Sequence, residues 1–241
     1  MRKTAIIFFI VYVVISLSIM VYYHQRYKSF QHKNELLTKD SKSTEKYFHC
    51  IHKNRINIIS NIPPKKNSVV FLGDSHFQYF EVTALFNDIN LVNMGVAGET
   101  TREILSRLND VLSNKPKTIL FEGGFNDVYY NTPIDSVSKN IKDLIKKVKI
   151  NLPNTSLFIL EIPPTLVQFR DVKINTLNQK IDSICAESNV PLIRINNFFK
   201  KENGKINTAY FSEDGIHFNG LGYLKLKDIL QLYIKNQPIA Q

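Results

Sequence analysis

Beyond residue 60 the chain alternates short apolar runs with longer segments whose apolar residues recur every three or four positions. The runs at Val69–Leu72, Leu91–Asn93, Thr118–Glu122, Leu157–Ile162 and Leu192–Ile195 are mostly continuous, as strands buried on both faces should be. Between them, "ETTREILSRLNDVL" puts Ile104, Leu105, Leu108, Val111 and Leu112 on one helical face. "IDSVSKNIKDLIKKVKI" does the same with Val137, Ile141, Leu144, Ile145 and Val148. "NQKIDSICAES" is helical in pattern, and "GLGYLKLKDILQLYI" is the last expected helix. Such alternation predicts an α/β fold, a parallel sheet flanked by helices. In sheets of this kind the reactive loops lie at the carboxyl ends of the strands.

The first quarter reads differently. Thr4 to Tyr23, "TAIIFFIVYVVISLSIMVYY", contains no charge over twenty residues. As a helix it would span about 30 Å, the thickness of a bilayer's hydrocarbon core. Arg2 and Lys3 precede it, and Tyr22, Tyr23, Arg26 and Lys28 provide interfacial anchors. The rival is a cleaved signal peptide with a weak site at Ser16-Leu17-Ser18, but the apolar run continues past it. The expected organisation is a basic flank at 1–3, one transmembrane anchor at 4–23, a polar basic stalk at 24–60 and a catalytic domain at 61–241, opened by "NIPPKKN". Counting positive charges around the span favours a cytoplasmic domain, whereas the signal-like "MRK" start favours export. An extracytoplasmic domain on a single-pass anchor is the expectation adopted.

Charge follows the same division. Of the net +10, residues 1–60 carry ten Lys/Arg against three Asp/Glu, and residues 61–241 carry 21 against 18. The near-neutral domain speaks against nucleic acid as a partner. The 44% of apolar residues provides for a full core. Two cysteines, Cys50 and Cys185, make no disulfide framework, and Cys185 is expected to be a small buried side chain. His24, His32, His49, His52 and His76 have no metal-ligand spacing, so neither metal nor cofactor is expected. The Lys-, Asn- and Ile-rich composition points to a low-GC bacterial source.

Four segments carry the candidate chemistry. "GDS" (Gly73, Asp74, Ser75) follows the first strand, "NMGVAGETT" the second and "GGFND" the third, and "DGIH" (Asp214 to His217) precedes the last helix. Each alone is a common turn. Four of them in step with the strands form a pattern that resembles the SGNH hydrolases, the GDSL esterase/lipase superfamily. The match runs from about residue 66 to 235. It is especially similar to the branch of platelet-activating-factor acetylhydrolase catalytic subunits and bacterial acylesterases. The resemblance implies a three-layer α/β/α sandwich with a five-stranded, parallel, flavodoxin-like sheet. The local departure is His76, where many members carry an apolar residue after the serine.

Ser75 is then the expected nucleophile, His217 the base that takes its proton, and Asp214 the acceptor that orients His217. The resemblance further implies an oxyanion hole made of the backbone N–H groups of Ser75 and Gly98 and the side-chain amide of Asn126. Ser75 is also a good helix N-cap, and both roles can coexist. Asp74 and Asp127 are expected to order their loops. Phe125, Phe169, Tyr129, Tyr130 and Pro163–Lys173, the longest of the expected loops, are candidate walls of the pocket. The expected activity is hydrolysis of short acyl esters, such as acetate on a carbohydrate or cell-envelope substrate. A lysophospholipase, thioesterase or acyltransferase would use the same residues, and an inactive binding module is the non-enzymatic rival. Oligomeric state is not legible.

Overall fold

The computed structural model describes the backbone of residues 2–87 and 90–235. It also describes their side chains, apart from those at 2–14, 16, 32–42, 168–169 and 235. The chain divides into two compact units, Met1–Lys53 and Asn54–Gln241. Helix α1 runs from Arg2 to Ser60, so the expected stalk is helical. Among the described residues no helix is long and apolar enough to cross a membrane. The anchor expected at 4–23 therefore has no support in the structure, and its side chains at 4–14 and 16 lie outside the described ones. The second unit begins before the expected boundary at Asn61 because the last turns of α1 belong to it. Ile59 is 1% exposed within the core. The Arg55 guanidinium donates to the carbonyls of Asn93 and Gly95, both at 2.9 Å.

Five strands follow: β1 Val69–Gly73, β2 Leu91–Gly95, β3 Thr118–Phe121, β4 Ser156–Leu160 and β5 Leu192–Ile193. They form one parallel sheet in the order β2-β1-β3-β4-β5, the expected flavodoxin-like sequence. The helices between them are α2 Ser75–Gln78, α3 Val82–Phe86, α4 Thr101–Ser106, α5 Leu108–Ser113, α6 Phe125–Tyr129, α7 Ile134–Asn151 and α8 Gln168–Glu187; α9 Gly220–Lys235 follows β5.

The continuous apolar strands are explained by two cores, one on each face of the sheet. Val70, Leu72, Ile119, Phe121 and Ile159 point to one, together with buried residues of α4, α5, α7 and α8. Val69, Phe71, Leu120, Phe158 and Leu160 point to the other, together with Phe77, Phe80, Phe199 and α9. Successive strand residues face opposite ways, so a strand covered on both sides has no polar position to spare. Each fully buried phenylalanine contributes about 2–3 kcal/mol of transfer free energy. Cys50 and Cys185 are both free thiols. Burial pushes the Cys185 thiol up to about 11.

Two expectations need correction. The helix expected through residues 99–112 is interrupted at Arg107, which leaves helical geometry at φ −99°, ψ 13°. Its guanidinium turns inward to hydrogen-bond with Glu99 and with the carbonyls of Met94 and Gly73. The segment Pro163–Lys173 is not one long loop, because α8 starts at Gln168.

Close backbone approach fixes how α2 sits over the strand ends. A Cβ on Gly95 would lie 2.3 Å from the Gln78 nitrogen and 2.6 Å from the Phe77 carbonyl carbon. Both are main-chain atoms and cannot swing aside. Gly95→Ala should therefore destabilise the protein by at least about 3 kcal/mol, read from urea unfolding. An unchanged midpoint would contradict this packing.

Candidate active site

Ser75 is the first residue of α2, immediately past the carboxyl end of β1, and is 6% exposed. The cap of α2 is Asp74, whose carboxylate accepts from the His76 N–H at 3.0 Å. The capping role weighed for Ser75 thus belongs to its neighbour, and the Ser75 hydroxyl is left for another partner. That partner is His217, whose Nε2 lies 2.8 Å from Ser75 Oγ. On the other side of the ring, Nδ1 lies 2.6 Å from Asp214 Oδ2. Asp214 is itself fixed, because its Oδ1 accepts from the N–H groups of Ile216 at 2.8 Å and His217 at 2.9 Å. Burial raises the Asp214 carboxyl, but the His217 ring and these two N–H groups outweigh it and hold the group below its ordinary value.

The loop that carries Asp214 and His217 is clamped from several sides. The Gly215 carbonyl accepts from the Thr165 hydroxyl at 2.9 Å and the Leu166 N–H at 2.8 Å. Gly215 has φ +67°, and an added Cβ would meet Leu166 at 3.0 Å. The stretch after β4 is thus a brace for this loop. The His217 ring packs against Tyr79, with centroids 5.2 Å apart, and against His76 at 5.5 Å.

The expected oxyanion donors are joined by hydrogen bonds. The Asn126 amide donates to the Glu99 carbonyl at 2.9 Å, next to Gly98, and to Asp74 Oδ2 at 3.3 Å, next to Ser75. Gly98 is exposed in the loop after β2, with φ +84°; an added Cβ would touch nothing within 4 Å. Glycine is required there by backbone conformation rather than by crowding from the protein.

Two buried polar pairs hold this arrangement together, and sequence reasoning passed over both pairings. The Arg107 Nε donates to both oxygens of Glu99, at 2.9 and 2.7 Å, and its Nη2 reaches the Met94 carbonyl at 2.8 Å. This pair fixes the Gly98 loop to the ends of β1 and β2. Asp127 accepts from the Thr101 N–H at 2.8 Å and the Thr101 hydroxyl at 2.9 Å, tying α6 to α4. Burial keeps the Asp127 carboxyl above its ordinary value despite those bonds. An arginine and a glutamate eight residues apart, inside a predicted amphipathic helix, look like a solvated face, so no pattern in the sequence marked them.

Of the candidate walls, Phe125 is 4% exposed and lies in the core against the His76 ring, whereas Tyr129 and Tyr130 are 49% and 61% exposed. The Phe169 side chain lies outside the described ones. Arg170 covers Tyr129 at 4.2 Å. Asp74, His76 and Glu122 are the one group among the described residues whose donor atoms, within 4.8 Å of one another, could hold a metal ion.

A serine hydroxyl, an imidazole and a carboxylate in this order can pass a proton from the hydroxyl to the ring while the carboxylate steadies the ring's charge. The rat platelet-activating factor acetylhydrolase IB subunit alpha2 is 29% identical over 173 residues, covering 67% of this chain and 73% of the relative. A GDSL-like lipase from Bacteroides thetaiotaomicron superposes with a TM-score of 0.64 at 22% identity, covering 76% of this chain and 97% of its own. An acetylxylan esterase from Geobacillus stearothermophilus superposes with a TM-score of 0.61 at 16% identity, covering 73% and 98%. At those identities the two superpositions speak for the fold. The family model of the GDSL-like lipases and acylhydrolases matches residues 71–225. The chain therefore belongs to the GDSL-like lipase/acylhydrolase family, within the SGNH hydrolases, and is a hydrolase of ester bonds.

Proposed function

We propose that this protein is a serine esterase in which Ser75 is the nucleophile, His217 the general base and acid, and Asp214 the residue that orients His217. The observation that carries the reading is the His217 ring, within hydrogen-bond reach of Ser75 Oγ at 2.8 Å and of Asp214 at 2.6 Å. As Ser75 Oγ bonds to the ester carbonyl carbon, its proton passes to His217 Nε2. The carbonyl π pair moves onto oxygen, and the oxyanion accepts hydrogen bonds from the Ser75 and Gly98 N–H groups and the Asn126 amide. Collapse expels the alcohol oxygen, which takes the proton from His217. Water then attacks the acyl-enzyme with His217 as base, releasing the acid and restoring Ser75. Both Asn126 amide hydrogens are engaged in the resting enzyme. The longer bond, to Asp74 at 3.3 Å, is the one to yield to the oxyanion.

The substrate is a short acyl ester, acetate on a carbohydrate or cell-envelope polymer. An acetylhydrolase among the relatives and an acetylxylan esterase among the structural neighbours support that choice. With p-nitrophenyl esters, turnover should fall steeply from acetyl to long acyl chains. Ser75→Ala should lower kcat by at least about 10⁴, and Asn126→Ala by about 10²–10³. Equal rates for wild type and Ser75→Ala would sink the reading. A flat chain-length profile would sink only the acetyl preference.

We further propose that the catalytic domain is exported and tethered to the membrane by residues 4–23. The support is the twenty uncharged residues with cationic and aromatic flanks. Full-length protein should sediment with membranes and resist carbonate extraction, while residues 25–241 should stay in the supernatant. Full-length protein released by carbonate would remove the anchor from the account.

A further inference from the structure

Directly behind Ser75 lies a buried cluster that the acyl-transfer scheme does not use: Asp74, His76 and Glu122. Their side chains are 0%, 2% and 1% exposed. His76 Nδ1 faces Asp74 Oδ1 at 3.3 Å and Glu122 Oε1 at 3.9 Å. On the far side of the ring, His76 Nε2 lies 3.3 Å from the main-chain carbonyl of Ile216, the residue before His217. Neither oxygen of Glu122 receives a hydrogen bond.

Counting donors fixes the direction of the bonds. A carbonyl oxygen only accepts, so Nε2 carries the hydrogen that meets Ile216. Asp74 also accepts from the His76 N–H at 3.0 Å and from the Asn126 amide at 3.3 Å, so it is the member surrounded by donors. Glu122 has none, and burial, followed by the charge of Asp74, pushes its carboxyl well above the ordinary range.

We infer that His76 is a positioning residue for the catalytic base: it clamps the Ile216 carbonyl to the buried Asp74–Glu122 pair and so holds the His217 loop over Ser75. The inference rests on the esterase reading above. The clamp joins residues 140 positions apart and ties the end of β1 to the loop before α9. It also sets the His76 ring beside that of the base, with centroids 5.5 Å apart. The titratable groups facing His76 are Asp74, Glu122 and His217, with Asp214 behind His217.

The test compares His76→Leu, His76→Gln, Glu122→Leu and Glu122→Gln with wild type and Ser75→Ala in the full chain. It measures hydrolysis of p-nitrophenyl acetate across pH and follows folding by circular dichroism. His76→Leu should lower kcat at least about tenfold and change KM by less than about threefold. His76→Gln keeps an amide for the Ile216 carbonyl and should recover part of that loss. Glu122→Leu should lose activity, and Glu122→Gln, neutral and able to donate, should restore most of it. A merely structural side chain would give neither this split between kcat and KM nor rescue by the two glutamine variants. A folded His76→Leu protein with wild-type kcat would overturn the inference. So would a stoichiometric divalent metal in the purified wild type that is lost in Glu122→Leu. If His76→Leu fails to fold, Glu122→Leu against Glu122→Gln decides: equal kcat in the two would overturn the inference. Inactive wild type, or full activity in Ser75→Ala, would instead sink the esterase reading, so the two failures are distinguishable.

Discussion

Gly73 ends β1 opposite Gly95 at the end of β2, and Leu72 pairs with Phe121 at the end of β3. This parallel register brings three carboxyl ends to one level, and with them the loops that carry Ser75, Gly98 and Asn126. The loop bearing Asp214 and His217 arrives from elsewhere in the chain and must be held at the same edge. A sheet whose side chains repeat every two residues cannot slip by one without turning Val70 and Leu72 into the wrong core. The site's geometry is therefore stabilised largely by apolar burial far below it.

The polar groups at that edge are organised as bridges between loops. Arg107 and Glu99 hold the Gly98 loop, Thr101 and Asp127 hold α6, and Thr165 and Leu166 brace Gly215. Each satisfies a buried or half-buried group, and each would cost more to break than it contributes, because the remaining partner would be left desolvated. Proton transfer in the proposed mechanism gains from the same arrangement. Asp214 is held by two backbone N–H groups before it meets His217, so little reorganisation is needed when charge develops on the ring.

The parallel sheet and the loops that carry Ser75, Asp214 and His217 were legible in the sequence for a physical reason, while the strand order was implied by the resemblance to the SGNH hydrolases. Strands buried on both faces read as unbroken apolar runs, and reactive loops follow them at fixed places. Four features were not legible. The break at Arg107 depends on a carboxylate whose position only the fold defines. The cap passed to Asp74 because its side chain, not that of Ser75, reaches the His76 N–H. The start of the second unit moved to Asn54 because Ile59 and Arg55 find partners on the sheet, while the local composition there is polar and basic. Glu122 was counted as the last residue of an apolar strand. The preceding β3 residues are buried, and nothing local says that the carboxyl would face His76.

The central claim is that acyl transfer runs through Ser75. The most direct measurement is the intact mass of the protein after reaction with a fluorophosphonate, followed by peptide mapping. The account predicts one adduct per chain, on Ser75, formed more slowly in His217→Ala and absent in Ser75→Ala. An adduct on another residue, or labelling unaffected by the loss of His217, would contradict it.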